Sequence, residues 1–366
     1  MDSTAKTAYR PDYAVAPGEV LEYELELRQM SKAELAKRTG LTEKHINAIV
    51  KAKGKSVITP ETAIKLERAL DMPVAYWLNL EAQYQETQAR LAEAAQLESD
   101  LDWLKKVPVV SMVKLGWLTQ HKDKRDQLVD VLRFFGIASV DRWDDLWSKP
   151  TVAYRQHSKK EICAEAVSAW LRQGELQAIR IQCEPYEKAT FRRALDQVRD
   201  LTAQVDPAQF VPEMQSLCAV AGVAVVFVPE LPKTGVSGAT RWVNSDKAII
   251  QLSLRYKTND HLWFTFFHEA GHILLHGKKA LFIEGRNGMD EQKEQEANRF
   301  AEQVLIPKSA LTAFAARRLL SKAAIVEFAR NINLAPGVVV GQLQHKRLLP
   351  RTHCNDLKVR YQWSAA

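Results

Sequence analysis

The spacing of apolar residues changes character along the chain, and each change predicts a different kind of element. From Pro17, Val20, Leu21, Leu25 and Leu27 recur at helical intervals and predict a first helix. Ser31-Lys32-Ala33-Glu34 has the spacing of a capping box, opens a second helix through Leu35 to Thr39, and is closed by Gly40, where a positive φ ends a helix. Thr42 caps a third helix with Ile46, Ile49 and Val50 on its inner side. Thr59-Pro60-Glu61 starts a fourth, carrying Ile64, Leu66, Ala69 and Leu70, and a fifth begins after Asp71-Met72-Pro73. The second and third, joined by a short glycine turn, make a helix-turn-helix.

From Glu81 to about Lys106 the pattern becomes polar and rich in Ala, Gln and Glu. It reads as a continuation of the fifth helix, with too few apolar positions to sustain a heptad. Beyond Val107-Pro108 helical clusters run to about Ala203, and Trp143, Trp147 and Trp170 among them read as core. Strand patterns then appear: Val223 to Val228 and Ala248 to Leu254 are apolar runs, with a loop and short strand over Gly235 to Trp242 between them. A helix from Trp263 to Leu275 is apolar nearly all round, as a buried helix would be. It is followed by an amphipathic helix from Asp290, with Ala297, Phe300, Ala301 and Val304 on one side, stopped before Pro307. Further helices are predicted around Ser309 to Leu320 and Ser321 to Asn331, and a last apolar stretch runs from Pro336 to His345. The fold class expected is mainly α with a small β-sheet. Its parts are a flexible lead-in (1–16), a helix-turn-helix bundle (17–80), a helical linker (81–106), a helical middle region (107–205), a C-terminal α+β domain (206–350) and a tail (351–366).

Composition narrows the picture. The chain has 366 residues, 46% hydrophobic and 26% charged, which is ordinary for a soluble globular protein. No run is long and apolar enough for a membrane span and Met1 to Lys6 lack a signal-type h-region, so the expected location is cytoplasmic, without membrane partners. Cys163, Cys183, Cys218 and Cys354 lack C-x-x-C spacing, which argues against a disulfide framework and against a thiolate zinc site. The net charge of +7 permits nucleic-acid binding without establishing it.

The chemistry concentrates in His268-Glu269-Ala270-Gly271-His272. On a helix the i, i+4 spacing puts His268 and His272 on one face, within reach of a single zinc ion, and Glu269 beside them is the candidate general base for a water activated by that ion. A Glu on the inner edge of the following helix would complete a His2Glu set. H-E-A-G-H followed by E-x-E-A-N-x-F-A-x-x-x-L-I-P resembles the ImmA/IrrE family of zinc metallopeptidases. The resemblance implies a zincin-like domain whose third ligand is a Glu on that helix, carried onto Glu296 first and Glu294 second. It also implies a protein substrate, such as a helix-turn-helix repressor, held by strand addition at the sheet edge. The ending V-V-x-G-x-L-Q-H recurs in fused members of the family, so His345 is a candidate oxyanion donor as well as a candidate packing histidine. His276, before Gly277, reads as serving the helix end and is left out of the metal set.

The N-terminal stretch from Pro17 to about Arg90 resembles HigA-type antitoxins of the XRE-like helix-turn-helix family, through P-G-E-V-L, I-T-P-E-T-A and Y-W-L-N-L. The resemblance implies operator DNA as a partner, and leaves a cognate toxin and a second copy of the chain open as others. On the third helix Glu43, Lys44 and Asn47 face away from Ile46, Ile49 and Val50, placed to reach base edges. Thr42, Lys51, Lys53 and Lys55 suit phosphates. Two functions follow as expectations: a DNA-binding regulator that cleaves a protein target, or an antitoxin-like autorepressor whose metal domain senses or binds without proteolysis. An intact Glu269 favours the first.

Overall fold

The computed structural model describes residues 13, 15–51, 58–148, 162–277, 282–283, 291–317 and 320–363. The chain divides into two compact units, Met1–Leu101 and Asp102–Ala366.

The first unit is built from α1 (Pro17–Leu27), α2 (Lys32–Thr39), α3 (Glu43–Val50), α4 (Pro60–Leu70) and α5 (Val74–Asp100). Local chemistry sets the boundaries. The Ser31 hydroxyl accepts from Glu34 N–H, Thr42 from His45 N–H and Thr59 from Thr62 N–H, while Gly40 closes α2 at φ 68°. The capping box is half used, since the Glu34 carboxylate turns to Arg38. Leu21, Leu25, Leu35, Ile46, Ile49, Leu66, Leu70 and Trp77 close the core. Leu27 and Ile64, apolar at helical spacing, are instead 66% and 40% exposed, because Leu21–Leu25 and Ala63–Leu66–Leu70 already fill the inner stripes of α1 and α4. Gly18 lets α1 cross α3 closely: a Cβ there would meet the Ile49 carbonyl and come 2.7 Å from Val50 Cα. Glu81 on α5 is buried and accepts the Ile58 N–H at 3.1 Å, so the start of the polar helix belongs to this core.

The second unit begins with short helices α6 (Val109–Lys114), α7 (Lys124–Phe135) and α8 (Val140–Trp143), followed by α9 (Ala164–Ile179), α10 (Lys188–Asp200) and α11 (Pro207–Ala219). The tryptophans here are core, as expected. Trp103, Phe135, Trp143 and Trp147 pack edge-on or tilted at 6.0–6.1 Å. Trp170 is fully buried and donates to Val228 O.

Strands β1 (Val223–Phe227), β2 (Gly238–Trp242) and β3 (Ala248–Leu252) precede α12 (Asn259–Leu275), and β4 (Phe282–Ile283) follows it. The order is β1-β3-β2-β4, with β1 parallel to β3 and the other pairs antiparallel. Alternation along β3 sends Ile250 and Leu252 into the core shared with α12, while Gln251 points to α9 and donates to Trp170 O at 2.6 Å. Both faces of the sheet are therefore covered, which is why β1 and β3 read as continuous apolar runs. β4 was not expected: two residues carry no readable pattern.

The remaining helices are α13 (Glu291–Leu305), α14 (Lys308–Ala316), α15 (Lys322–Asn331) and α16 (Pro336–His345). Opposite α12, small residues set the spacing: a Cβ on Gly271 would come 3.2 Å from Ala297 Cα and 3.1 Å from Phe300, so α12 and α13 approach with almost no side chain between them. The Arg199 guanidinium holds the far end of α13 by donating to Val304 O and Leu305 O, and ties in Ile332 O. The architecture is the one expected from the sequence, mainly helical with a small sheet. Among the described residues no single helix is long and apolar enough to cross a membrane.

Candidate metal centre and nucleic-acid interface

The close approach of α12 and α13 brings three ligating side chains to one point. His268 Nε2 and His272 Nε2 lie 3.1 Å apart, and the Glu294 carboxylate lies 3.4 Å from the first and 3.5 Å from the second. Zinc bound at about 2.0–2.1 Å in a tetrahedral set would hold its ligands roughly 3.3 Å from one another, so these residues fit such an ion without rearrangement. Protonation fits as well. Burial pushes the His272 imidazole down to about 4, against the pull of Glu294. Burial works to raise Glu294, but hydrogen bonds from His268 and His272 outweigh it and hold the carboxyl at about 2. A neutral His272 and an ionised Glu294 at neutral pH are the forms that ligate a cation.

The expected order of third ligands was Glu296 before Glu294, and the geometry reverses it. On α13 Glu294 precedes Ala297 by three residues and Ala301 by seven, so it shares the buried stripe that faces α12. Glu296 falls on another edge, where its Oε2 lies 3.2 Å from His276 Nε2 and its Oε1 accepts from Gln292. His276 is buried at the end of α12, its Nδ1 2.9 Å from His272 Nδ1. His268 has its own outer contact, Nδ1 to Asn298 Oδ1 at 2.9 Å, from the Asn of E-x-E-A-N. Sequence reasoning missed Asn298 as a site residue. Its i+4 position from Glu294 was the available signal.

Glu269 is completely buried beneath the start of β2. Its backbone carbonyl accepts from Thr240 Oγ1 at 3.1 Å, and Gly238 leaves the room its side chain occupies: a Cβ there would come 2.8 Å from Glu269 Oε1. One helical turn before His268, the Phe264 ring centroid lies 6.3 Å from the rings of both His268 and His345. His345 is exposed at the rim of a cavity of about 240 Å³ with Phe264, Leu305 and Val338 in its lining, and its Nε2 lies 3.7 Å from Glu302. The structure thus places His345 beside Phe264, one ring away from the histidine pair. The side of β2 away from β3 is paired at Ala239 and Thr240 with β4, so the edges of the sheet are β1 and β4.

In the first unit α3 presents Thr42, Glu43 and Lys44 exposed and Asn47 half-buried, with Lys51 exposed at its end. Thr42 is the helix cap, so its hydroxyl already accepts the His45 N–H. Lys53 and Lys55 lie outside the described residues.

Residues 218–339 match the IrrE N-terminal-like domain, a peptidase family, and residues 21–77 match the helix-turn-helix family. The chain joins a helix-turn-helix domain to an IrrE-like, metallopeptidase-type domain. Among solved structures, an addiction module antidote protein of the HigA family from Coxiella burnetii is 30% identical over 24% of this chain and 92% of its own, with a TM-score of 0.22. A Pseudomonas aeruginosa protein solved in complex with its 18 bp operator DNA is 28% identical over 25% of this chain and 94% of its own, with a TM-score of 0.23. No curated protein matches the chain. The IrrE-like match spans β1, β2, β3, α12 and α13, and therefore contains all three converging side chains together with Glu269.

Proposed function

We propose that this chain binds operator DNA through its helix-turn-helix domain and hydrolyses a peptide bond in a protein target through its IrrE-like domain, with zinc held by His268, His272 and Glu294. The observation that carries the reading is the convergence, at 3.1–3.5 Å, of two buried imidazole nitrogens from α12, which also buries Glu269, and one carboxylate from α13. When bound, zinc supplies a Lewis acid that polarises a carbonyl and lowers the pKa of water toward about 7.

The protein's own residues do the rest. Glu269 takes the proton from the attacking water and returns it to the leaving amine, held for that exchange by β2 against its flank. Asn298 orients His268. His345 donates to the charge that develops on the substrate oxygen from the cavity rim, a smaller contribution than that of Glu269. Glu296, turned toward His276, lies outside the ligand set. The target is a protein of the helix-turn-helix repressor kind that the motif resemblance implies. On the DNA side Glu43, Lys44 and Asn47 read base edges from the major groove, and Thr42 and Lys51, with Lys53 and Lys55, meet phosphates.

The test is removal and return of the metal. The protein should carry about one zinc per chain, His268→Ala and Glu294→Ala should lose it, and cleavage of the target should stop in chelator and resume when zinc is restored. Cleavage that continues in chelator would refute the metal assignment.

A further inference from the structure

α12 does not end its chemistry at His272. One turn on, His276 leaves the helix in an extended conformation, φ −115° and ψ 139°, yet its N–H still reaches His272 O at 3.0 Å. That bond pins the imidazole of His276 beside the imidazole of His272, with the two Nδ1 atoms 2.9 Å apart. At this distance one of the two nitrogens donates and the other accepts.

The ligating end of His272 decides which. Its Nε2 faces His268 Nε2 and Glu294, and a neutral imidazole that ligated a cation there would carry its hydrogen on Nδ1. His272 Nδ1–H would then donate to His276 Nδ1, and His276 Nε2, 3.2 Å from Glu296 Oε2, would donate to that carboxylate. Glu296 is held in turn by Gln292, whose amide donates to Oε1 at 2.8 Å.

We infer that His276 and Glu296 are positioning residues of the metal centre: through contacts at 2.9 and 3.2 Å they hold the His272 ring with its Nε2 turned toward His268 and Glu294. This rests on the metal reading above and assigns a role to the two residues that lie just outside the ligand set. The arrangement differs from that at His268, where one amide oxygen does the same work. Chains of this type raise the basicity of a ligating imidazole and fix its ring plane. Here the chain runs from a fully buried ligand to a carboxylate whose side chain is 39% exposed.

The test measures zinc affinity by competition with a chromophoric chelator, for the full chain and for Glu296→Gln, His276→Ala and His276→Gln. His276→Ala should still bind one zinc per chain, about 10–100-fold more weakly, the loss typical of a missing outer partner. Glu296→Gln, half-exposed and close in shape, should keep the fold and weaken binding less. His276→Gln should recover part of the affinity, since its amide oxygen can accept from His272. Zinc affinity within about twofold of wild type in His276→Ala, or His276→Gln binding no tighter than His276→Ala, would overturn the inference while leaving the metal reading intact. Complete loss of zinc in Glu296→Gln would make Glu296 a ligand and overturn it too. A wild-type chain that binds no zinc would remove both readings.

Discussion

Gly238→Ala tests how tightly the sheet presses on the base. A Cβ at this position would come 2.6 Å from Thr265 Cγ2, 2.8 Å from Glu269 Oε1 and 2.9 Å from Glu269 Cγ. Carbon atoms do not share such distances, so something moves. Thr265 and Glu269 are 4% and 0% exposed, so both are enclosed by the protein. Gly238 is itself fixed by its pairing with Leu252, and Thr240 two residues on anchors the Glu269 carbonyl. Overpacking of this kind costs about 1–3 kcal/mol. The part of the strain relieved by shifting Glu269 also affects chemistry, since a misplacement of about 1 Å in a reacting group can cost on the order of a hundredfold in rate. Urea unfolding should therefore show a lower midpoint with an unchanged slope, and target cleavage should fall at least tenfold, roughly half of that loss in logarithmic terms, while zinc content stays the same. Gly277→Ala, with nothing within 4 Å of the added atom, is the control and should be silent in both assays. Wild-type stability and turnover in Gly238→Ala would show that β2 does not bear on Glu269.

Gly18→Ala should disrupt the α1–α3 crossing, because the added carbon meets the Ile49 carbonyl and Val50 Cα; loss of operator binding with zinc content retained is the expected pattern in gel shift and metal analysis. Asn47→Ala should weaken operator binding selectively, by roughly 1–3 kcal/mol, whereas Lys51→Ala should weaken all duplexes and lower the salt slope. Tyr361 has its hydroxyl pushed up to about 12 by burial, from an ordinary 10. The unfolded chain therefore gives up this proton first, and stability is lost as pH rises from 10 toward 12. Tyr361→Phe keeps the ring against Phe210 and should flatten part of that loss in urea midpoints taken across this range.

Local signals carried most of the fold. Ser31, Thr42 and Thr59 cap where their spacing implied, and the apolar runs at Val223 and Ala248 are the paired parallel strands β1 and β3. The two histidines of H-E-A-G-H meet because i, i+4 spacing on a helix leaves no other outcome. The choice between Glu294 and Glu296 was harder. Both lie at the start of one helix, and only the tertiary pairing of Gly271 with Ala297 decides which carboxylate faces α12. Extending the stripe of Ala297 and Ala301 backward points to Glu294, a signal present in the sequence but outweighed by the resemblance. The role of His276 depends on its contact with Glu296 on the next helix, which no one-dimensional pattern encodes, whereas Asn298 stands at i+4 from Glu294. β4 is too short to read, and the outward turn of Leu27 and Ile64 reflects inner stripes already filled by their neighbours.

The most direct measurement compares the wild type with Glu269→Gln, which preserves side-chain shape and removes basicity. Proteins from cells carrying each form are recovered on the tagged chain, and cleavage of the partner that accumulates on the variant is followed in vitro. Glu269→Gln should keep about one zinc per chain and its operator affinity, retain the target uncut, and lose cleavage by at least a hundredfold, the lower end for a general base. Equal cleavage by the two proteins, or an identical regulatory output in cells, would contradict the account.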